Sequence, residues 1–296
     1  MKDLRNKVVF VTGGSSGIGQ GIVKVLAEDG AKVAFSYRRQ EHLDQTMAYF
    51  RDKPEQSVHP IRLDVTDRPG WSRAKSEIGR IFGPLDVLIN NAGVGIQGLM
   101  EQATFGDWDW IMSVNLGGVI NSLVTFLPGM IASGREGHIV NVASMGGIAA
   151  LGTAGLYTTA KYAVVGLSES LRTDMIGRGI GVSVYCPGTV KSNIGGADPL
   201  RRERFTDSGY PPPPERQEPG ADSFMDVAMD AVDAGRHVVR GIKDNQLFIL
   251  SHPEFRDVLR ARHEKIEASI CDEKIDAARA ESVRFILSNA IYGEGA

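Results

Sequence analysis

Residues 7–26, KVVFVTGGSSGIGQGIVKVL, decide the fold of this 296-residue chain. Lys7–Thr12 is a short, β-branched and apolar run that predicts a strand, and apolar residues at helical spacing follow it from Ile22 to Leu26. The turn between them, Gly13–Gly19, is rich in glycine, which lets a backbone approach a ligand closely, and the N-terminus of the following helix favours an anion. Strand, turn and helix together predict a phosphate cradle; the alternative is a tight turn that binds nothing.

A second stretch, Ser144–Lys161, offers a hydroxyl, a phenol and an amine. Lys161 lies one helical turn beyond Tyr157, so these two side chains share a helix face. The ordinary pKa of a phenol is about 10, and a neighbouring ammonium favours the phenolate and lowers that value. Tyr157 could then exchange a proton with an alcohol or carbonyl oxygen that Ser144 holds by a hydrogen bond. This is half of a carbonyl reduction, and a nicotinamide cofactor normally supplies the hydride of the other half.

Motifs from Thr12 to about Ser192 resemble the short-chain dehydrogenase/reductase family in kind, spacing and order. They are Thr12-Gly13-x-x-x-Gly17-x-Gly19, Asn90-Asn91-Ala92-Gly93, Asn115, Ser144, Tyr157-x-x-x-Lys161 and Pro187-Gly188. Within the family, residues 114–147 and 190–194 look most like the Cα-dehydrogenases that oxidise lignin-derived aryl ether alcohols. The resemblance implies an α/β fold with a Rossmann-type, doubly wound parallel sheet of about seven strands in the order 3-2-1-4-5-6-7. It also implies an enzyme that interconverts a secondary alcohol and a ketone, with a bulky aromatic alcohol as a candidate substrate.

The resemblance assigns roles to four residues that could take part in the reaction. Tyr157 would be the acid/base, Lys161 would tune it and hold the cofactor ribose, and Ser144 would bind the substrate oxygen. Asn115 would hold a water that links Lys161 to solvent. From the residues alone, simpler roles stay open: Tyr157 as a half-buried core phenol, Lys161 as a solvated charge and Asn115 as a local partner of the backbone.

The end of the second predicted strand, Lys32–Tyr37, bears on the choice of cofactor. Tyr37 stands where an acidic residue would hold the 2′-hydroxyl of NAD, and Arg38 and Arg39 follow, which suits the 2′-phosphate of NADP. NADP(H) is therefore favoured. NAD(H) stays open because serines fill the glycine turn where many NADP-preferring members of the family carry a basic residue, and because both arginines could simply be solvated.

The resemblance places the cofactor against a longer series of residues. They are Gly13, Ser15, Ser16, Gly17, Ile18, Gly19, Tyr37, Arg38, Arg39, Asp64, Val65, Asn91, Ala92, Gly93, Tyr157, Lys161, Pro187, Gly188, Thr189, Val190 and Ser192. From the residues alone, Asp64 could instead end its strand, and Asn91 could either stabilise a turn or reach a ribose.

Composition narrows the range of partners. A formal net charge of −3 disfavours nucleic-acid binding, which calls for a basic surface. Cys186 and Cys271 offer neither a disulfide framework nor metal-ligand spacing, so no metal is expected, and both are interpreted as free thiols in a reducing cytoplasm. The N-terminal apolar run is too short for a secretory signal, and the uncharged residues 137–160 are rich in glycine, serine and threonine, so no membrane partner is expected. The expected partner is a small alcohol or ketone, and the family's habit implies a homodimer or homotetramer.

We expect one Rossmann domain over residues 1–251. Within it, residues 195–222 are too rich in glycine and proline for regular structure, and we interpret them as a substrate lid. Arg201, Arg202 and Arg204 would lie on a solvated face of this lid or meet an anionic group of the substrate.

A helical extension is predicted over residues 252–296. Its apolar stripe, from Phe255 to Ile270, either packs on its own core or covers the active site of this or a neighbouring subunit. Helical spacing further predicts helices over Phe105–Ser133, Phe224–Ile242 and about Glu273–Ile291.

Two other functions stay open. A dinucleotide-binding regulatory protein could keep the phosphate cradle and lose the chemistry, although such a protein typically loses Ser144, Tyr157 or Lys161. An epimerase or dehydratase that uses transient redox is the other, although its usual Gly-x-x-Gly-x-x-Gly turn differs from the turn here.

Overall fold

The computed structural model describes residues 1–194, 201, 205–211, 227–284 and 289–293. Its strands are β1 Val8–Val11, β2 Lys32–Tyr37, β3 Val58–Arg62, β4 Val87–Asn90, β5 Gly137–Val142, β6 Ile180–Tyr185 and β7 Phe248–Ile249. They form one parallel sheet of seven strands in the order 3-2-1-4-5-6-7, which confirms the predicted topology. The winding reverses between β1 and β4, and open α/β sheets bind ligands at the carboxyl edge of such a switch point.

Helices cover both faces of the sheet, and strands buried on both faces are expected to be apolar throughout. β1 and β4 are buried at every position. On one face lie α1 Gly17–Glu28, α2 Gln40–Phe50 and α7 Ala231–Asp244, and on the other lie α3 Arg68–Ile81, α4 Phe105–Asn115, α5 Gly117–Ala132 and α6 Gly155–Asp174. The chain continues with α8 Arg256–Glu267 and α9 Ala277–Ser282. Successive residues of β1 alternate between the two cores, as the period of a strand requires.

The backbones of α1 and α7 are in direct contact. A side chain at Gly21 would overlap the carbonyl of Ala231, and a Cβ at Gly235 would lie 2.7 Å from the backbone of Gly21. Only glycine allows this approach. The contact fixes the start of α7 relative to the glycine turn from which α1 begins.

The single long helix predicted over Phe105–Ser133 is wrong, because two helices occupy this stretch. α4 ends at Asn115 and α5 begins at Gly117, with a break at Leu116. Glycine lowers helix propensity by about 1 kcal/mol, and the Asn115 amide is bound to the backbone of Val94, so the helix is interrupted here. By length and composition alone this stretch could cross a membrane, but 44% of its most apolar window is buried inside the protein.

The helix predicted over Phe224–Ile242 begins later than expected. Residues up to 226 lie outside the described part of the chain, and α7 begins only at Ala231. Before it, Met229 forms a parallel β-bridge with Val190. The Asp230 carboxylate then caps the first turn of α7. The backbone of Met229 is therefore paired with Val190 and is not part of the helix.

The C-terminal helices also differ from their predictions. Of the helix expected over about Glu273–Ile291, α9 covers only a part, and residues 285–288 lie outside the described chain. The apolar stripe of α8 is divided in its burial: Phe255 and Leu259 pack against the core under β6. Ile266 and Ile270 remain 48% and 72% exposed.

Candidate active site

A hydroxyl, a phenol and an amine meet at the carboxyl edge of the sheet. Ser144 follows β5, and its Oγ accepts a hydrogen bond from the Gly146 N–H at 3.0 Å. Tyr157 and Lys161 lie on the first turns of α6, with Lys161 Nζ 5.6 Å from the centre of the Tyr157 ring. The Tyr157 phenol lies near the Ser144 hydroxyl, which lowers the phenol's pKa. The structure therefore brings together the three groups that the sequence singles out.

The pKa of Tyr157 differs from its expectation. Burial raises it above the ordinary value of 10.0, and the nearby Ser144 hydroxyl lowers it only in part. The predicted lowering by Lys161 is therefore wrong for the protein as it stands, because the loss of hydration of the phenolate outweighs the neighbouring amine. At neutral pH Tyr157 carries its proton.

Lys161 is buried, and its Nζ donates to the carbonyl of Val142 at 2.9 Å. Burial lowers the pKa of this amine to about 8, against a smaller opposite effect of Cys186. Burial raises the pKa of the Cys186 thiol to about 12. The thiol stays neutral, and Lys161 supplies a mostly charged ammonium beside the phenol at neutral pH.

Asn115 lies beside this cluster. Its Oδ1 accepts from the Val94 N–H at 2.8 Å, and its Nδ2 donates to the Val94 carbonyl at 2.9 Å. A Cβ at Gly93 would lie 3.1 Å from Asn115 Oδ1 and 3.4 Å from Lys161 Nζ, so both groups face the same small space. An amide has two N–H groups and two lone pairs, and one of each remains to hold a water there.

The glycine turn has the shape of a phosphate cradle. Gly13 and Gly17 have φ of +63° and +52°, which L side chains rarely adopt. Ser16 is the N-cap of α1 but makes no side-chain cap bond. A side chain at Gly19 would overlap the carbonyl of Gly13. The Ser16 side chain thus does not cap the first amides of α1, and the glycines let the backbone approach an anion. This geometry fits the diphosphate of a dinucleotide.

Strand ends tie this turn in place. The Thr12 hydroxyl accepts from the N–H groups of Asn91 and Ala92 at 2.9 and 3.0 Å. The Asn91 side chain donates to the carbonyls of Thr12 and Gly13 at 2.8 and 3.2 Å. The Asn91 side chain therefore stabilises the turn, which is one of the two roles that the sequence left open for it. Gly13 N–H donates in turn to Ser36 Oγ at 2.8 Å.

Charged residues mark the far end of the cradle, after β2 and β3. Arg38 follows Tyr37, and its Nε lies 3.3 Å from Asp64 Oδ2. The other oxygen of Asp64 accepts from the N–H and the hydroxyl of Thr66 at 2.8 and 2.7 Å. The Arg38 side chain is 34% exposed, so the guanidinium is oriented by a carboxylate and still open to solvent. Arg39 is the N-cap residue of α2, and Val65 is buried behind Asp64.

The loop after β6 connects the catalytic cluster with the cradle. The carbonyl of Pro187 accepts from the Met145 N–H at 2.9 Å, next to Ser144. At the other end, a Cβ on Gly17 would lie 2.9 Å from the Cβ of Ser192. Residues 187–192 thus run from the serine, tyrosine and lysine to the glycine turn, as a surface under a dinucleotide would have to do.

Comparison with known proteins identifies the family. Residues 7–201 match the family model of the short chain dehydrogenases. The chain belongs to the short-chain dehydrogenase family. Together with its named dehydrogenase and reductase relatives, this makes it an NAD(P)-dependent oxidoreductase.

Particular short-chain dehydrogenases are similar over nearly the whole chain. A C alpha-dehydrogenase of Sphingobium sp. (strain NBRC 103272 / SYK-6) is 39% identical over 279 residues, which cover 93% of this chain and 90% of the relative. The apo form of LigO from Sphingobium sp. strain SYK-6 gives a TM-score of 0.78 at 40% identity and covers 99% of this chain and 100% of its own. A short chain dehydrogenase/reductase from Burkholderia phymatum in complex with NAD gives a TM-score of 0.81 at 28% identity, with coverage of 94% and 100%.

In this short-chain dehydrogenase, Arg201 of the predicted lid does not lie on a solvated face, as one of its two predicted roles required. Arg202 and Arg204 lie outside the described residues, as does most of the lid. Arg201 is described, and its side chain is only 7% exposed, with NH2 2.7 Å from Asp107 Oδ1. Its guanidinium lies 4.3 Å over the ring of Trp110. Arg201 therefore does not lie on a solvated face but binds Asp107 and Trp110 of α4.

Asp107 is the centre of this attachment. It is fully buried and accepts hydrogen bonds from Ser208 Oγ at 2.8 Å, Gly209 N–H at 3.0 Å and Thr104 N–H at 3.0 Å, besides its ion pair with Arg201. Burial alone would raise the pKa of this carboxyl, but the hydrogen bonds from these groups outweigh it and lower the pKa to about 2. Asp107 is therefore charged at any physiological pH.

Sequence reasoning did not find the roles of three residues. Thr12 ties the glycine turn to the end of β4, Asp107 binds Arg201, Ser208 and Gly209, and His252 lies beside the loop after β6. Thr12 lies inside the glycine motif and could have been found there. Thr104-x-x-Asp107 is visible as a helix capping box, which already explains the carboxylate locally. No motif marks His252. Within the described residues, no three His, Cys, Asp or Glu side chains are placed to hold a metal ion.

Proposed function

We propose that this enzyme interconverts a secondary alcohol and a ketone by hydride transfer and prefers NADP(H) to NAD(H). The observation that supports it most is the grouping of Ser144, Tyr157 and the buried amine of Lys161, which lies 5.6 Å from the centre of the Tyr157 ring, at the same edge of the sheet as the glycine turn. When bound, the nicotinamide cofactor supplies or accepts the hydride.

The side chains supply the proton chemistry. In reduction, Ser144 and Tyr157 donate hydrogen bonds to the carbonyl oxygen, and Tyr157 gives its proton as negative charge develops there. In oxidation, the phenolate of Tyr157 accepts the hydroxyl proton. The Lys161 ammonium stabilises that phenolate. The free N–H and lone pair of Asn115 hold the water through which Lys161 exchanges protons with solvent.

Arg38 supports the preference for NADP(H). It follows the strand end where an acid would select NAD, and its pairing with Asp64 holds the guanidinium at the rim of the cradle. A guanidinium forms two parallel hydrogen bonds to a phosphate. The serines of the glycine turn supply no further cation, so Arg38 and Arg39 would carry the preference.

An apolar entrance supports a bulky, aromatic substrate. Leu99, Met100 and Leu151 are 50%, 54% and 39% exposed. The Met100 side chain lies against Gly155, the first residue of α6, and Leu151 would be 2.9 Å from a Cβ on Gly146, beside Ser144. The C alpha-dehydrogenase named above gives the same direction. Aromatic rings bind to such surfaces mainly through burial of apolar area.

Purified enzyme should be tested with aryl ether alcohols and with aliphatic secondary alcohols, each with NADP⁺ and NAD⁺, by the absorbance of reduced nicotinamide. We expect net turnover, a higher kcat/KM for the aryl ether alcohols and a higher kcat/KM with NADP⁺. Tyr157→Phe should bind the cofactor with wild-type affinity and lose at least about a thousandfold in kcat, the usual order of acid–base catalysis.

Each of three other outcomes would contradict a different part of the proposal. A higher kcat/KM with NAD⁺ would overturn the cofactor preference alone. Turnover that survives in Tyr157→Phe would mean that another group is the acid/base. Cofactor binding without net redox on any alcohol or ketone would favour a regulatory protein or an enzyme with transient redox.

A further inference from the structure

His252 lies just beyond β7 and contacts the loop after β6 through both nitrogens of its ring. Nδ1 is 3.0 Å from the Gly188 nitrogen, and Nε2 is 3.1 Å from the carbonyl oxygen of Thr189. The imidazole also packs edge-on against Phe255, with ring centres 6.4 Å apart. One side chain thus engages the backbone of two consecutive loop residues.

These partners determine the protonation of the ring. The Gly188 N–H can only donate, so Nδ1 is unprotonated, and the Thr189 carbonyl can only accept, so Nε2 carries the hydrogen. Ser251 Oγ lies 2.9 Å from Nδ1 and 2.9 Å from the Tyr185 hydroxyl. Nδ1 has a single lone pair, which the Gly188 N–H and the Ser251 hydroxyl therefore share. One neutral tautomer of His252 thus serves both contacts with the loop.

The loop has little freedom to move away from this contact. A Cβ at Gly188 would lie 2.7 Å from His252 Cδ2 and 2.8 Å from Phe255 Cε2, so the backbone rests directly on the two rings. The Thr189 carbonyl also accepts from the Met229 N–H at 3.1 Å. Two distant segments, around residues 229 and 252, therefore hold a loop that has no regular structure of its own.

We propose that His252 is a positioning residue, which holds the backbone of Gly188 and Thr189 in the shape that receives the nicotinamide half of the cofactor. This inference rests on the proposed function, since it needs a dinucleotide over the carboxyl edge. It also makes the chain beyond β7 a part of the active site. Both hydrogen bonds go to backbone groups, so the effect is independent of which side chains line the loop.

The test separates the two halves of the cofactor by calorimetric titration with NADPH and with adenosine 2′,5′-bisphosphate, which lacks the nicotinamide half. His252→Ala should lower the affinity for NADPH about tenfold, as expected for two lost hydrogen bonds to the loop, and leave that for the bisphosphate unchanged. His252→Asn should recover part of the loss, because its amide oxygen can accept from the Gly188 N–H. The control is His263→Asn, since His263 is exposed on α8 and its Nδ1 is hydrogen-bonded within its own helix, to the Leu259 carbonyl. It should bind both ligands as wild type does.

Three results would overturn the role of His252: an unchanged NADPH affinity in His252→Ala, an equal loss of affinity for both ligands, or no recovery in His252→Asn. An equal loss with a lower melting temperature would show that His252 only stabilises the fold. A failure of the proposed function is distinct from these, because it shows in the wild-type enzyme, which would then either bind neither NADPH nor NADH or bind them without net turnover of any alcohol or ketone.

Discussion

The proposed cofactor side and the proposed substrate side of the active site are held in different ways. On the cofactor side, hydrogen bonds join the ends of neighbouring strands: Gly13 N–H donates to Ser36 Oγ at 2.8 Å, and Asn91 Nδ2 donates to the Thr12 carbonyl at 2.8 Å. On the substrate side, irregular segments converge on one buried carboxylate, that of Asp107. The register of the sheet therefore fixes the first side, whereas side-chain contacts centred on Asp107 hold the second.

This difference sets the expected consequences of damage. A change in the cradle displaces backbone that the sheet keeps rigid, so cofactor binding should be lost for every substrate. A change at Asp107 releases the lid segment but leaves the strand ends in place, so substrate affinity and local stability should fall while cofactor binding persists.

Gly19→Ala should break the cofactor side most severely. Its Cβ would overlap the Gly13 carbonyl and the Asn91 amide, so the turn must open. We expect the affinity for NADPH to fall more than about a hundredfold, which corresponds to about 2.7 kcal/mol. Calorimetric titration measures it. Gly166→Ala on α6 is the matched control, because no atom lies within 4 Å of its Cβ. NADPH affinity near that of the control would contradict the assigned cradle.

Asp107→Asn should break the substrate side. Loss of the charge breaks the ion pair of Asp107 with the buried Arg201 guanidinium, which typically costs about 3 kcal/mol in the free energy of unfolding. We expect a rise of about tenfold in KM for the alcohol, equivalent to about 1.4 kcal/mol, with an unchanged Kd for NADPH. Chemical denaturation and steady-state kinetics measure these effects.

Asp109→Asn is the control for this change, because Asp109 is exposed on the same helix. It should leave both quantities within error of wild type. If Asp107→Asn weakened NADPH binding as much as substrate binding, the separation of the two sides would be wrong.

The rates of oxidation and reduction should depend on pH in different ways, because Tyr157 must be deprotonated for the one and protonated for the other. Burial raises the pKa of Tyr157, so the proton needed for reduction is present at neutral pH, while oxidation needs the scarce phenolate. Below the pKa, the phenolate fraction rises tenfold per pH unit. The oxidation rate should therefore rise about fivefold from pH 7 to 8, because the tenfold rise in phenolate is partly offset as Lys161 begins to lose its charge. It should then level off as Lys161, whose pKa is about 8, loses its charge.

Reduction should show no such rise over the same interval. Initial rates in both directions, measured at constant ionic strength, provide the comparison. An oxidation rate that is flat from pH 7 to 8 would mean that the phenolate of Tyr157 is not the base.

A histidine remote from both sides should affect stability alone. His138 lies at the amino edge of the sheet, beside a cavity of about 550 Å³ that Arg172 and Asn245 also line. Burial lowers the pKa of His138 from 6.5 to about 3. As pH falls below 6.5, the unfolded chain takes up a proton that the folded protein does not. Stability is therefore lost progressively toward pH 3, by about 1 kcal/mol per pH unit.

His138→Gln should reduce this slope, because glutamine does not titrate. Urea denaturation at pH 6.5 and 5.5 measures it, and the Kd for NADPH should stay the same at both values. An identical slope in the variant would assign the acid sensitivity to other groups.

The sequence predicts those parts of the site that local spacing determines. Tyr157 and Lys161 lie four residues apart on one helix, so their common face follows from helix geometry. The order of the strands follows from the alternation of apolar runs and helices. The spacing does not predict the pKa of Tyr157, because burial depends on everything that packs around the ring.

Contacts between irregular segments could not be predicted in this way. The partners of Asp107 come from a glycine- and proline-rich stretch with no periodicity, and its capping role at Thr104 gave a sufficient local explanation. Arg201 likewise looks like any charged loop residue until Trp110 and Asp107 enclose it. The end of α4 at Asn115 depends on the backbone of Val94, which belongs to a different strand connection.

The glycine contact between α1 and α7 has a consequence for how such enzymes diversify. Because Gly21 and Gly235 lock the two helices together, the chain re-enters the common scaffold at a fixed point, whatever its path since β6. Insertions or deletions between Ser192 and Met229 would then be absorbed there and would not propagate into the nucleotide pocket. Exchanging that stretch among homologues is a practical way to alter the substrate range while the residues that serve hydride transfer stay unchanged.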